Sequence, residues 1–251
     1  MKKGFSALGM ALSMYTIIPL PLKKWDEDSR PLMLMFLPVV GLVVGLIWYA
    51  LALLMRFLNF PEVLYAALLT IYPYKITGFI HLDGFMDCCD AILSRRSKEE
   101  KQKILKDPHV GAFAVISLAV LFLLCFAFFL SQPDTAALEA LIFAPACARC
   151  ISALCVLNMS PIAHSQFAGA FVKGKKKVYT AVLTVLLPLF FGAAYAFGGP
   201  NAVFPSAAAA AGCLLGILYA RAQLGGMSGD VAGYGTVIGE AAGLAAIIIN
   251  I

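Results

Sequence analysis

The sequence predicts an all-α fold: a polytopic membrane bundle of about six or seven transmembrane helices with an N-terminal re-entrant or interfacial segment. Hydrophobic residues make up 61% of the 251 residues and charged residues only 13%, whereas a soluble domain is about half apolar and about a quarter charged. The mean hydropathy is +0.88. Such an apolar surplus cannot be buried in one soluble core, which excludes a soluble enzyme, a secreted disulfide scaffold and a disordered tail.

Seven apolar windows are long enough to cross a bilayer as helices, which takes roughly 20 residues. They are Pro31–Phe57, Glu62–Ile80, Val110–Leu130, Ala136–Leu157, Val178–Phe197, Phe204–Ala220 and Thr236–Ile251. No internal repeat, low-complexity run or linker argues for a second domain. We therefore expect residues 1–251 to form a single integral membrane domain.

The opening segment Phe5–Leu22 is also apolar, but basic residues flank both of its ends and Pro19 and Pro21 close it. This pattern favours a re-entrant or interfacial segment, with a true span as the open alternative. A cleaved signal peptide is disfavoured because no small-residue cleavage pattern follows.

The basic residues predict how the bundle is oriented. Of the 19 Lys and Arg residues, 16 fall on alternate loops, and the opposite loops carry none. These residues lie in Lys2–Lys3, Lys23–Arg30, Arg95–Lys106, Lys173–Lys177 and at Arg221. The positive-inside rule places those loops in the cytoplasm, and therefore the protein in the cytoplasmic (plasma or inner) membrane. The net charge of +5 thus indicates orientation, and no nucleic acid partner is expected.

The seven cysteines are an odd set and mostly lie in spans, so they predict no disulfide framework. Cys147 and Cys150 have CxxC spacing, but they have no second pair and lie in an apolar helix. We interpret them as packing residues of that helix.

A short stretch of three aspartates contains the most unusual chemistry of the chain. Asp83, Asp87 and Asp90 are spaced i, i+4, i+7, which places them within about 60° of one helix face. A bound divalent cation relieves the repulsion between such stacked carboxylates, and Mg²⁺ takes carboxylate oxygens and bridges to substrate phosphates. A solvated acidic helix end is the alternative. Gly84 lets a bulky ligand or another backbone approach, and His81 is expected at or before the helix start.

The next segment predicts a short amphipathic helix. Ser97–Glu100 has the form of a capping box, so a helix is expected over Lys98–Lys106. Its charges are typical of a solvated face. Arg95 and Arg96, which precede it, either hold phosphate or belong to the same solvated surface.

Two further stretches on the same side carry candidate site residues. Asp107 and His109 stand where the chain re-enters the membrane, so Asp107 is expected to face the aspartates. Gly225–Gly233 is rich in glycine, which indicates either a flexible turn or backbone N–H groups that meet phosphate. Gly229 and Asp230 are its candidate ligand contacts.

Three ionisable residues fall in or near apolar spans, where a charge is costly and usually faces the bundle interior or water. They are Lys75, Arg149 and Glu240. Arg149 is the best phosphate-binding candidate among them, and a structural pair with a carboxylate such as Glu240 is its alternative. Lys75 is interpreted as reaching back to the interface.

A membrane-embedded site with several aspartates, Mg²⁺ and basic residues favours phosphoryl or phosphodiester transfer. Two other functions stay open at this point. A CDP-alcohol phosphotransferase shares the Asp83–Gly84 pair, but Phe85–Asp87 stands where that family has Ala-Arg. A transporter would line a pathway with buried charges, although here the acids cluster at one mouth and not at the midplane.

Motifs along nearly the whole chain resemble the cobalamin synthase family, the adenosylcobinamide-GDP ribazoletransferases. The most specific is His-Leu-Asp-Gly-x-x-Asp-x-x-Asp at residues 81–90, and Ala91 follows it where Gly is expected. The other matching stretches are Ala11–Pro21, Phe36–Gly41, Lys106–Gly111 and Gly226–Gly233. Pro108–His109 departs from the small polar and basic pair common there.

The resemblance implies the last assembly step of cobalamin. The 5′-hydroxyl of α-ribazole, or the 5′-phosphate form of α-ribazole, attacks adenosylcobinamide-GDP and releases GMP, with Mg²⁺ required. Membrane lipids surround the bundle, and association into a homo-oligomer stays open.

Our working hypothesis assigns each candidate residue a role in this reaction. Asp83, Asp87 and Asp90 hold Mg²⁺, and His81 orients or deprotonates the acceptor. Asp107 and Asp230 are each a further metal ligand or the general base. Gly84 and Gly229 contact the substrate. Arg149, with Arg95 or Arg96, holds the nucleotide phosphates.

Overall fold

The computed structural model describes residues 2–20, 26, 29–132, 137–162 and 176–249. Regular structure within these ranges is helical, which confirms the all-α prediction. The helices are α1 (Lys2–Tyr15), α2 (Arg30–Phe57), α3 (Glu62–Ile76), α4 (Ile80–Leu93), α5 (Lys98–Ile104), α6 (Ala112–Leu130), α7 (Ala140–Asn158), α8 (Lys176–Leu224) and α9 (Gly229–Ile249).

Five helices of the described residues are long and apolar enough to cross a membrane, namely α2, α6, α7, α8 and α9. The pair α3 and α4 passes the same test only together, and it is bent by 93° at its break. The predicted number of spans is therefore close, but the continuous span Glu62–Ile80 is wrong. Helix α3 ends at Ile76, and the chain turns before α4 begins.

Helix α8 is a hairpin of two arms. Its 49 residues would extend about 74 Å if straight, more than twice the thickness of the hydrocarbon core. It breaks at Gly199, whose φ of 61° lies in the left-handed region that glycine tolerates. Pro200 follows, where a helix start needs no N–H donor. The predicted windows Val178–Phe197 and Phe204–Ala220 fall on the two sides of this break.

Helix α7 is the centre of the bundle, because 16 of its 19 residues are buried. Ala194 and Ala202, on the two sides of the α8 break, share a core cluster with Phe143 near the start of α7. Further along α7, the Cys150 thiol donates to the Leu183 carbonyl at 3.3 Å. Both arms of α8 therefore run along α7, with their turn near its N-terminus.

Helix α1 agrees with the prediction of a re-entrant or interfacial segment. It has 14 residues and so extends about 21 Å, less than the roughly 30 Å of the hydrocarbon core. Met10, Ala11 and Tyr15 bury its inner face in the same cluster as Met33 and Leu34 of α2. The predicted segment continued to Leu22, and residues 21 and 22 lie outside the described residues.

All seven cysteines are buried free thiols, as the prediction of no disulfide framework requires. Cys147 and Cys150 are 0% exposed within α7. The CxxC spacing therefore belongs to helix packing.

Helix α5 and the end of α8 meet at one end of the bundle. We call it the basic end, because it carries the basic stretch Arg95–Lys106. The predicted short helix is α5, with the Ser97 capping box formed as expected. Lys101 Nζ donates to Gln223 Oε1 at 2.7 Å, and Gln102 Nε2 donates to the Leu224 carbonyl at 2.8 Å. These bonds fix the α5 loop, with its many basic residues, against the end of α8.

Candidate active site

Helix α4, which carries Asp83, Asp87 and Asp90, follows a sharp turn after α3 and lies across the basic end. Gly78 and Phe79 adopt φ values of 62° and 63°, and α4 is bent by 93° from the direction of α3 at this turn. The Ile17 N–H donates to the Ile76 carbonyl at 2.8 Å, so the end of the N-terminal segment is fixed against this turn. His81 lies in the first turn of α4, in agreement with its expected position near the helix start.

The predicted acidic face of α4 forms and gains a fourth member from α9. Asp83 is exposed, whereas Asp87 and Asp90 are half-buried. The charges of Asp83, Asp90 and Asp230 all act on the Asp87 carboxyl group. Among the described residues, no Lys, Arg or His forms an ion pair with any of these four carboxylates. Within the described part of the chain, the cluster is thus a concentration of negative charge without a basic partner.

Two glycines allow α4 and α9 to cross at backbone contact. A Cβ on Gly84 would lie 2.8 Å from the Asp230 Cα, and a Cβ on Gly233 would lie 3.0 Å from the His81 carbonyl oxygen. Of the two possibilities for Gly84, a bulky ligand or another backbone, the structure has the backbone. Helix α9 begins at Gly229, earlier than the predicted Thr236, so Asp230 stands in its first turn.

The start of α6 approaches the same cluster. Gly111 is the N-cap of α6, and any side chain there would overlap the Asp90 carboxylate. The N-terminus of a helix carries partial positive charge and favours a carboxylate. Asp90 is therefore held between the acidic face of α4 and the first turn of α6.

His81 lines a cavity beside the acids. Its ring stacks on Tyr15 with centroids 5.9 Å apart and planes inclined by 15°. The ring is 8% exposed, and its Nε2 makes no hydrogen bond within the described residues. Asp83 and Asp230 line the same cavity, so an imidazole and two carboxylates face one shared space.

Asp107, Arg95 and Arg96 line neither this cavity nor the acidic cluster. Asp107 is exposed, and its Oδ1 accepts from the His109 N–H at 3.0 Å and contacts His109 Nδ1 at 2.6 Å. These bonds from the backbone and the ring of His109 lower the pKa of Asp107. The charge of Asp107 is not one of those that act on the Asp87 carboxyl group. Arg95 and Arg96 are exposed on the loop before α5.

Arg149 adopts the structural alternative. Its Nη1 donates to Glu240 Oε1 at 2.6 Å, and the two side chains are 0% and 3% exposed. The same nitrogen donates to the Pro145 carbonyl at 3.2 Å. A fully buried guanidinium paired with a carboxylate of α9 presents no surface to a phosphate, which corrects the expectation that Arg149 contacts substrate.

The sequence model of the cobalamin-5-phosphate synthase family matches residues 7–248 of the chain. The chain belongs to this family. Similar proteins named adenosylcobinamide-GDP ribazoletransferase come from Clostridium botulinum strain Alaska E43 (42% identical) and Lachnoclostridium phytofermentans (34% identical). The alignments cover 97% of this chain and 97% of the first relative, and 98% and 95% for the second. No solved structure matches the chain.

The described carboxylates do not by themselves form a complete coordination site for a metal ion. Within the described residues, no three His, Cys, Asp or Glu side chains converge on one metal position. Mg²⁺ in proteins usually keeps several waters and takes one or two carboxylates together with substrate phosphates. The acids of α4 and α9, which have no ion-pair partner among the described residues, fit such a shared site.

Sequence reasoning did not identify the apolar residues of the cavity. Met14, Tyr15, Leu34 and Val156 line it together with Ser152. Apolar residues are the ordinary content of a membrane helix, so nothing local distinguishes these from neighbours in the core. Met14 and Tyr15 carried a signal, because both lie within one of the matching family stretches.

We expect Gly84→Ala to damage both stability and activity. The added Cβ would meet the Asp230 backbone at 2.8 Å, so α4 and α9 must separate, at a cost of about 1–3 kcal/mol. The displacement of Asp230 should lower turnover by on the order of a hundredfold. Gly192→Ala is the matched control, since its Cβ has nothing within 4 Å. Equal thermal stability and turnover in both variants would contradict the close crossing.

Proposed function

We propose that the chain transfers the adenosylcobinamide phosphate moiety from adenosylcobinamide-GDP to α-ribazole or α-ribazole 5′-phosphate. GMP is released, and adenosylcobalamin or its 5′-phosphate is formed. The observation that carries this proposal is 42% identity over 97% of the chain to a protein named adenosylcobinamide-GDP ribazoletransferase. The acidic cavity supports it, because phosphoryl transfer needs groups that hold phosphates and accept a proton.

The attacking group in this proposal is a secondary hydroxyl of the ribose. The family name describes a 5-phosphate product, and a 5′-oxygen that carries phosphate cannot act as the nucleophile. A secondary hydroxyl therefore replaces, in this proposal, the 5′-hydroxyl expected from the resemblance. The hydroxyl oxygen forms a bond to the phosphorus next to cobinamide, the bond from that phosphorus to the GMP oxygen breaks, and the hydroxyl proton passes to a base.

Asp83, Asp87 and Asp90 are proposed to hold Mg²⁺, one or two of them as direct ligands together with the substrate phosphates, and Asp230 is a further candidate ligand or the base. When bound there, Mg²⁺ would neutralise the pyrophosphate charge and stabilise the leaving oxygen. The support is the donor set itself, four carboxylates near one another without a basic partner in the described residues. Arg95 and Arg96 are proposed to meet the nucleotide phosphates at the open side of the cluster.

The protein groups have their own tasks in this reaction. His81 is proposed to orient the acceptor hydroxyl, because its buried ring lines the cavity beside Asp83 and Asp230. The surrounding apolar wall limits access of water, whose attack on the activated phosphate is the competing reaction. The positive-inside pattern supports placing this site on the cytoplasmic side of the membrane.

The test is GMP release by the purified full-length chain in detergent, given adenosylcobinamide-GDP, α-ribazole and Mg²⁺. We expect GMP and a cobalamin product in equal amounts, loss of both with excess EDTA, and recovery when Mg²⁺ is added back. α-Ribazole 5′-phosphate as the acceptor distinguishes the two product forms. Absence of GMP from a folded sample with either acceptor would refute the proposal. GMP release that persists in excess EDTA would refute the requirement for Mg²⁺.

A further inference from the structure

The cavity beside the acids has an apolar wall and a small volume. It measures about 230 Å³ and is lined by Met14, Leu34, Leu37 and Val156 as well as by the Tyr15–His81 ring pair. Apart from these rings, the polar side chains that the described residues contribute to its wall are Ser152, Asp83 and Asp230. Drug-sized ligands occupy pockets of about 300–1,000 Å³, so this cavity takes one portion of a substrate.

Three portions of the two substrates compete for this space: the corrin macrocycle, the guanine of the GDP group and the dimethylbenzimidazole base of α-ribazole. A corrin macrocycle is much larger than a two-ring heterocycle and exceeds the cavity. Guanine has donors and acceptors around most of its edge, and those that face Leu34, Leu37 and Val156 would stay unpaired, at a cost of about 1–3 kcal/mol per group.

The dimethylbenzimidazole base matches the wall in shape and polarity. It is a flat two-ring system with two methyl groups and one free ring nitrogen, which accepts a single hydrogen bond. The methyl groups suit the aliphatic side chains, and Ser152 carries a hydroxyl in the same wall. The Ser152 hydroxyl has only a long 3.5 Å bond to the Ala232 carbonyl in the described part of the chain, so it is available as a donor.

We infer that this cavity binds the benzimidazole base of the acceptor and determines which base the enzyme accepts. The inference rests on the proposed function and assigns the acceptor subsite to α1, α2 and α7, elements outside the acidic motif. Asp83 and Asp230 line the same cavity. A riboside bound through its base therefore has its sugar hydroxyls beside the carboxylates.

Leu37 offers a test of size selectivity. Leu37→Phe narrows the cavity and Leu37→Ala widens it, while Leu46→Phe on the exposed side of the same helix is the matched control. The acceptors are α-ribazole, the unmethylated benzimidazole riboside and the larger naphthimidazole riboside. We expect the preference for the smaller base to rise by about tenfold in Leu37→Phe, and the preference for the larger base by about tenfold in Leu37→Ala.

The readout separates this inference from a structural effect and from the proposed function. KM for adenosylcobinamide-GDP should stay within about twofold while KM for the acceptor changes, as selective loss of acceptor binding requires. Unchanged base preference in both variants, or a change confined to KM for adenosylcobinamide-GDP, would overturn the inference.

Equilibrium dialysis of α-ribazole with the wild-type and Leu37→Phe proteins needs no turnover. Weaker binding by the variant supports the subsite, and equal binding overturns it. Failure of the proposed function would instead appear as absence of GMP from the wild-type protein.

Discussion

Asp87→Asn is expected to lower GMP release by at least about a hundredfold, the loss typical when one electrostatic stabiliser of a transition state is removed. Asn keeps the shape of the side chain but removes the charge at the centre of the acidic cluster, where Asp83, Asp90 and Asp230 act on it. The same change relieves repulsion between like charges. The thermal unfolding temperature in the absence of Mg²⁺ should therefore stay equal or rise while turnover is lost.

The control for this prediction is Glu99→Gln on α5, an exposed acid in the first turn of a helix capped by Ser97. It removes one negative charge at the same end of the bundle but outside the cluster, so near-normal turnover is expected. Normal turnover by Asp87→Asn at saturating Mg²⁺ would contradict the metal assignment. A parallel loss in Glu99→Gln would indicate that only overall charge matters.

Arg149→Met should destabilise the fold by about 3–5 kcal/mol, because it leaves the Glu240 carboxylate buried without its partner. The ion pair joins α7 to α9 with Nη1 and Oε1 2.6 Å apart and both side chains almost fully buried. We expect a large fall in the unfolding temperature of the detergent-solubilised protein. Lys98→Met, at an exposed position of α5, should change the free energy of unfolding by less than about 0.5 kcal/mol.

The double variant Arg149→Met/Glu240→Leu distinguishes a structural role from a phosphate contact. An apolar pair of similar volume often replaces a buried ion pair without loss of stability, so the double variant should recover most of the unfolding temperature. KM for adenosylcobinamide-GDP should then equal that of the wild-type protein. A folded double variant with KM raised about tenfold or more would restore Arg149 as a phosphate ligand.

The acidic face of α4 could be predicted from the spacing of its aspartates alone. Asp83, Asp87 and Asp90 lie on one side of a helix whatever that helix packs against, because 3.6 residues per turn fixes their relative directions. The capping box at Ser97 and the break between the two arms of α8 are local in the same way. Each depends on residues within a few positions of one another and was predictable.

The turn between α3 and α4 could not be predicted from hydropathy. The window Glu62–Ile80 is apolar enough overall to predict one span, but hydropathy says nothing about the direction of the backbone. The left-handed φ of Gly78 and Phe79 turns the chain there, and the contact between Ile17 and Ile76 supports the turn from a distant segment.

By itself, the sequence determined the membrane class, the helical fold, the acidic face and the family motifs, since composition and helical period are local properties. The tertiary structure decided which distant residues meet. Arg149 pairs with Glu240 across 91 positions, and Asp230 reaches α4 because Gly84 leaves room for its backbone. Tyr15 joins His81 through helix packing. Such contacts depend on how whole helices cross, and no short stretch of sequence encodes a crossing.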